Sequence, residues 1–284
     1  MMGLKERSRK SSGKGVVAMR IGQLLGVGNT ANVFEWGTSE VIKIFHLEEN
    51  AREEAMKEAR NAEIVDRLSI KAPRFSGLTE YEGKTCLIYE KIEGQTMLSS
   101  IEPTESSVSD CAKLMAQLHI ELHEVQTDVQ SNLRTQLSAN VIHSEVMTEP
   151  EKVIVLDMLE TLPEEQTLCH YDFHPGNIIL SPNGPIIIDW MNALVGHRLA
   201  DVARTYMMID SRAVPPHAPA WLTNRALRVL FAEAYLGEYE RISGMDRGTL
   251  EEWFVPTFAA RIRELRGEEQ AEIVTRLRSA IQKG

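Results

Sequence analysis

The sequence predicts an α+β protein in two unequal parts, a small β-rich part holding one main helix and then a larger, mostly helical part. Three observations carry this. From Val16 to Phe45 the chain is rich in β-branched and apolar residues, punctuated by Gly22, Gly26, Gly28 and Gly37. Beyond Gly94 the apolar residues recur at helical spacing, and one compact β-like stretch, residues 167–190, interrupts that pattern.

Taken in order, residues 1–15 form a basic tail, expected to be disordered. The apolar run after it, Val16 to Met19, ends at Arg20 and is too short for the core of a signal peptide. Residues 16–93 make the first domain. Its glycines divide residues 16–45 into three short antiparallel strands, a helix is expected over about residues 48–68, and Pro73, Gly77 and Gly83 frame a further strand over residues 85–91. Residues 94–284 make the second domain, in which Cys111, Leu114, Met115, Leu118, Leu122 and Val125 define a buried helical stripe. Pro175-Gly176 and Pro182-Asn183-Gly184 supply the turns of the β-like stretch. Helices resume from Leu199, apart from a proline-rich loop over residues 214–219.

With 43% hydrophobic and 25% charged residues in 284, the chain can bury ordinary cores, which excludes wholesale disorder. A net charge of -10 argues against nucleic acid and anionic membranes as partners. No window approaches the roughly 20 apolar residues of a membrane-spanning helix. Cys86, Cys111 and Cys169 form no CxxC pair and read as reduced, mostly buried thiols. A cytoplasmic protein is expected, and no feature fixes an oligomeric state.

The segment His170-Tyr171-Asp172-Phe173-His174-Pro175-Gly176-Asn177, followed by Ile186-Ile187-Ile188-Asp189-Trp190, sets two carboxylates and an amide at short spacing around turns. Such a group can hold Mg²⁺ through hard oxygen ligands and leave one carboxylate to orient and deprotonate a hydroxyl. An acid ending an apolar strand, as Asp189 does, is costly to bury without a cation nearby. The spacing reproduces the H-x-D-x-x-x-x-N signature of phosphoryl-transfer enzymes and its downstream metal-binding Asp.

These residues resemble the catalytic core of the aminoglycoside phosphotransferase and choline kinase group, relatives of the protein kinases, with HPGN where protein kinases have KPEN. The resemblance implies a protein-kinase-like two-lobed fold. It also implies ATP and Mg²⁺ as cofactors and a small-molecule hydroxyl acceptor such as an aminoglycoside, choline or another amino alcohol. Asp172 is then the catalytic base, Asn177 and Asp189 the metal ligands, and His170 a support of the loop.

Gly26 to Val33 resembles the glycine-rich loop over ATP phosphates, with Ala31 where a third glycine stands. Gly26 and Gly28 would let the backbone approach phosphate, and Val33 would cover the adenine. Lys43, in Val41-Ile42-Lys43-Ile44, matches the strand that presents a phosphate-binding lysine. Glu58 shares the inward stripe of the following helix with Ala51, Ala55, Ala62 and Val65 and is the expected partner of Lys43; Glu54, one turn earlier, is the alternative. The run to Gly94 resembles an inter-lobe hinge, whose backbone near Glu90 and Ile92 would pair with adenine.

Only eleven residues separate Asp189 from Asp201, leaving no room for a long regulatory segment. Asp201 resembles the family's structural acid at a helix start, an N-cap or network residue. The small-molecule reading is favoured over a protein or lipid kinase with a shortened segment, and over a silent nucleotide-binding module. His119 and His123, at i and i+4, read as structural histidines, the acidic residues 145–165 as a solvated helix face, and Trp190, Tyr206, Trp221 and Trp253 as core aromatics before any cage for a quaternary ammonium.

Overall fold

The computed structural model describes residues 21–282 apart from 29, 47–49, 128, 130, 215 and 216. The expected basic tail lies outside these. The chain divides into two compact units, the first running to Gly94 and taking in Ser181–Met191, the second comprising Gln95–Leu180 and the chain from Asn192. Residues 181–191, read from sequence as part of the second domain, thus cluster with the first unit.

In the first unit, strands β1 (Ile21–Val27), β2 (Ala31–Trp36) and β3 (Glu40–Phe45) are followed by helix α1 (Ala51–Val65) and strands β4 (Phe75–Tyr81) and β5 (Lys84–Glu90). They form one sheet in the order β1-β2-β3-β5-β4, every neighbour antiparallel. The period-two alternation of side chains gives the sheet two apolar faces. Ile42, Ile44, Cys86 and Ile88 cluster on one. Ala31, Phe45 and Leu87 cluster on the other with Ala55 and Ala59 of α1, and Met191 packs there too. Sequence reasoning had no separate strand at β4, because Gly77 inside it reads as a break; there it coincides with a register shift against β5. The β4–β5 turn puts both Glu82 and Gly83 at positive φ, 51° and 75°, the backbone of a tight hairpin that glycine tolerates well. The short strand Gly184–Ile187 is tied to this unit by the Ile187 N–H, which donates to the Lys71 carbonyl at 2.7 Å.

The second unit begins with β6 (Gln95–Thr96), α2 (Met97–Ser100), α3 (Glu105–His123), α4 (Leu133–Ile142) and α5 (Glu149–Thr161). Then come β7 (Thr167–Cys169), β8 (Ile178–Ser181) and, after the first unit's strand Gly184–Ile187, which is β9 in chain order, β10 (Leu194–Gly196). It closes with α6 (Arg198–Asp210), α7 (Ala220–Thr223), α8 (Arg225–Ser243), α9 (Arg247–Glu252), α10 (Phe254–Arg261) and α11 (Gly267–Ile281). The β-like stretch is therefore not one self-contained insertion. β7 pairs with β10, beyond the predicted limit, and β6 pairs with β8.

Side-chain caps fix the helix starts. Thr104 accepts the Ser107 N–H at α3, and Thr148 with Glu151 forms a reciprocal capping box at α5. α3 packs along α8. Its buried stripe includes Val108, Ala112, Met115, Leu118, His119, Leu122 and His123, so it is turned toward the histidines, and Cys111 and Leu114 lie at its margin. The acidic α5 is solvated on one side and buries Val155 and Leu159 on the other. α6 starts at Arg198, capped by His197, so Asp201 sits inside its first turn and is not its cap. The three cysteines are unpaired. None of the described helices is long and apolar enough to cross a membrane.

Candidate functional site

In the first unit, Lys43 is the centre. Antiparallel register places it directly opposite Val33 on β2 and Leu87 on β5, on the face that α1 covers. Its Nζ donates to Glu58 Oε1 and Oε2 at 3.0 and 2.8 Å and to Asp189 Oδ1 at 3.1 Å. Glu58, not Glu54, is therefore the helix partner. The Tyr89 hydroxyl also donates to Glu58 Oε1, at 2.9 Å. Burial pushes the Glu58 carboxyl up and opposes the charge on Lys43, but Glu58 and Asp189 together raise the Lys43 ammonium well above its ordinary range, so the cation persists.

Asp189 stands at φ 64°, a left-handed backbone uncommon outside glycine, and its side chain remains 38% exposed. Asn61 of α1 donates to the carbonyls of Trp190 and Met191, at 3.0 and 3.2 Å, and so pins the turn that carries Asp189. Asn61 was missed in the sequence; only its place on the inward face of α1 could have indicated it.

At the β1–β2 turn the Gly28 N–H donates to the Ala31 carbonyl at 2.9 Å. A Cβ on Gly28 would lie 3.0 Å from that same oxygen, which explains glycine there, whereas Gly26 sits opposite Val33 with more room. Because the Gly28 amide is committed to the turn, phosphate contacts from this loop would come from other amides. At the end of β5 the Glu90 N–H donates to the Arg74 carbonyl and the Lys91 N–H to the Ser39 carbonyl, each at 2.9 Å.

In the second unit, the loop from β7 to the 3-10 turn Pro175–Asn177 holds Asp172. Asn177 donates its Nδ2 to the Asp172 carbonyl at 2.9 Å, and the Asp172 N–H donates to His170 Nδ1 at 3.2 Å. His174 Nδ1 accepts the Gly176 N–H, and its Nε2 lies 3.9 Å from Asp172 Oδ2. Tyr171, a bulky residue at φ 60°, is held in an unfavourable backbone region directly before Asp172.

That strain is maintained from beneath. Fully buried Asp201 accepts the His170 N–H at 2.7 Å on Oδ2 and the Tyr171 N–H at 2.9 Å on Oδ1. His119 and His123 bring their Nε2 atoms to 3.1 and 3.4 Å from the same Oδ2, and their Nδ1 atoms meet the hydroxyls of Tyr235 and Tyr239 at 2.7 and 2.8 Å. Burial lowers both imidazole pKa values, that of His123 to about 4. Although burial alone would raise the Asp201 carboxyl, the two histidines hold it well below the usual range. Neutral His123 thus donates from Nε2 to Asp201 and accepts from Tyr239, while His119 meets Tyr235 through Nδ1 and faces the same carboxylate with Nε2 outside hydrogen-bond geometry, a packed cluster around one buried anion. Sequence spacing indicated no third group for the two histidines, since Asp201 lies 78 residues beyond His123.

The four aromatics behave as core or surface structure. Trp190 donates to the Ile187 carbonyl, Trp221 to the Leu98 carbonyl, Trp253 stacks on His197 and Tyr206 bonds Glu233.

The sequence model of the phosphotransferase enzyme family matches residues 22–247. The chain belongs to that family. No curated protein sequence matches it significantly. Among solved structures, this family member is similar to a thermostable mutant of aminoglycoside phosphotransferase APH(4)-Ia in ternary complex with ADP and hygromycin B. The identity is 14%, with 93% of this chain and 94% of that one covered and a TM-score of 0.65. It is also similar to aminoglycoside-3'-phosphotransferase of type VIII, at 18% identity, 85% and 93% coverage and a TM-score of 0.58. A third similar structure is amicoumacin kinase hAmiN in complex with AMP-PNP, Ca2+ and Ami, at 15% identity, 93% and 88% coverage and a TM-score of 0.55. The fold is accordingly the protein-kinase-like two-lobed α+β fold, and the phosphotransferase signature of residues 170–189 lies wholly inside the family match.

Proposed function

We propose that this phosphotransferase moves the γ-phosphate of ATP to a hydroxyl of a small molecule, with Mg²⁺ as cofactor. The observation that carries the reading is the three-way contact of Lys43 with Glu58 and Asp189, in a member of the phosphotransferase family. A lysine held this way is aimed and kept charged for phosphate oxygens.

The residues fit a hard cation. Asp189 offers a partly exposed carboxylate. The Asn177 amide, with its Nδ2 turned to the Asp172 carbonyl, offers its Oδ1 as the accepting end. An all-oxygen donor set suits Mg²⁺, and Asn177 and Asp189 are the proposed ligands. The bound ion supplies neutralisation of the phosphate charge.

The remaining work belongs to the chain's own groups. Lys43 takes the α- and β-phosphates and Glu58 holds it in place. Gly26 and Gly28 keep the loop backbone close, Val33 covers the base from the Lys43 face of the sheet, and the Glu90 carbonyl and Ile92 N–H read its edge. Asp172 orients the acceptor hydroxyl and accepts its proton on a carboxylate oxygen, while His170 and Asn177 hold the Asp172 loop. The short segment between Asp189 and Asp201 supports a small acceptor, for which the family resemblance supplies aminoglycosides, choline and other amino alcohols as the class.

Incubation with ATP and Mg²⁺ against a panel of hydroxylated amines, aminoglycosides and a generic protein, read as ADP release and as product mass, tests this. A phosphorylated small molecule is the expected result. Phosphorylation of the protein alone would replace the reading with a protein kinase, and no turnover at all would leave a silent nucleotide-binding module.

A further inference from the structure

Arg204 of α6 stands between Asp172 and a carboxylate that has no part in the proposed reaction. The residue is 5% exposed. Its Nη1 donates to Glu264 Oε1 and its Nη2 meets Glu264 Oε2, each at 2.8 Å, the two-pronged pairing that a guanidinium makes with a carboxylate. One face of the guanidinium covers the Tyr171 ring, 4.5 Å from its centre. Although burial works against its charge, Glu264 raises the Arg204 guanidinium well above its ordinary range, so the cation is permanent.

The two oxygens of Asp172 are not equivalent. Oδ2 faces Asn177 Nδ2 at 3.4 Å and His174 Nε2 at 3.9 Å. Oδ1 accepts no hydrogen bond among the described residues and has Arg204 Nη2 across a gap of 4.0 Å. A charge-assisted N–H···O bond spans about 2.7–2.9 Å, so the guanidinium stops about 1 Å short of one. The Asp172 side chain is 28% exposed, which leaves Oδ1 within reach of an acceptor.

Glu264 keeps that gap open. It occupies both terminal nitrogens of Arg204, the Nε has no partner among the described residues, and no other carboxylate among them hydrogen-bonds this arginine. Without Glu264 a buried, permanent cation would be left uncompensated beside one anion, and the low dielectric there would draw it onto Asp172. N–H donors would then fill Oδ1. Glu264 lies between α10 and α11, beyond residue 247, where the family match ends.

We propose that Glu264 is a positioning residue for the transfer: by holding the Arg204 fork it keeps Asp172 Oδ1 open, and Oδ1 is the oxygen that takes the acceptor's proton. The proposal rests on the phosphotransferase reading and adds which oxygen works and what keeps it free. As the acceptor oxygen bonds the γ-phosphorus and the bond from that phosphorus to the ADP oxygen breaks, the hydroxyl proton passes to Oδ1. Glu264 acts through Arg204 alone.

The test compares full-length wild type, Glu264→Gln and the double variant Arg204→Gln/Glu264→Gln. The acceptor is whichever hydroxylated amine or aminoglycoside is phosphorylated or, where none is, water, read as phosphate release from MgATP. Glu264→Gln is expected to lose at least about tenfold in kcat while the KM for MgATP stays within about twofold of wild type. The double variant is expected to return to within about threefold of wild-type kcat, because no guanidinium remains to close on the base. With rates taken well below the Tm of each variant, loss of a purely structural pair gives no such rescue. A crystal structure of Glu264→Gln should place Arg204 Nη2 within about 3 Å of Asp172 Oδ1. Unchanged kcat in Glu264→Gln, a double variant no faster than the single one, or a guanidinium that stays clear of Oδ1 overturns the proposal. Any of these beside normal wild-type turnover leaves the phosphotransferase reading standing. Closure of Arg204 on Asp172 in Glu264→Gln, from a wild type that turns over neither acceptor nor water, removes that reading and upholds the restraint on Arg204.

Discussion

Lys43 Nζ lies 3.1 Å from Asp189 Oδ1, a contact between residues 146 positions apart that brings the expected phosphate-binding cation to the expected metal-binding acid. Glu58 completes the group from α1 at 2.8 Å.

Lys43→Met is expected to abolish turnover and to destabilise the fold, because Glu58, 1% exposed, loses its cation; breaking a buried pair typically costs about 3–5 kcal/mol. The double variant Lys43→Met/Glu58→Gln should regain much of that stability without regaining activity. Glu54→Gln should change neither. Denaturant midpoints measured beside ADP release separate the two effects, and recovery of turnover in the double variant would contradict the role given to Lys43.

Asp189→Ala should leave the fold intact, since the side chain is partly exposed, while MgATP binding weakens and turnover is lost. Calorimetry over a range of Mg²⁺ concentrations reads this directly. Unchanged MgATP affinity and activity would withdraw Asp189 from the metal.

Acid should loosen the second unit through His123. Its folded pKa of about 4 lies below the roughly 6.5 of an unfolded imidazole, so the unfolded chain binds more protons in that window. Stability is therefore expected to fall as pH drops from about 6.5 toward 4, by up to about 3 kcal/mol for this group. Urea midpoints across that range should decline, and His123→Gln should flatten the decline.

Much of this was legible in the sequence because the chemistry is local. The H-x-D-x-x-x-x-N run and the apolar run leading to Asp189 carry their own turns, and the alternation about Lys43 fixes the face it occupies. The Glu58 partner followed from one helical stripe. What the sequence did not disclose depends on distant segments. Asn61 pinning the Trp190 turn, and Asp201 gathering two histidines and two backbone amides, are products of packing between distant segments. Short strands such as β10 carry too little pattern to be read alone, and Gly77 obscured β4.

The measurement that bears most directly on the phosphotransferase reading is turnover and MgATP affinity of Asp172→Asn beside wild type, with an identified acceptor. The substitution keeps the shape of the side chain and removes its charge and its capacity to take the hydroxyl proton. The account predicts that kcat falls by at least about a hundredfold, the scale of a general-base contribution, while the MgATP dissociation constant shifts by less than about twofold. Near-normal kcat, or outright loss of MgATP binding, would contradict the assignment of Asp172 to the acceptor.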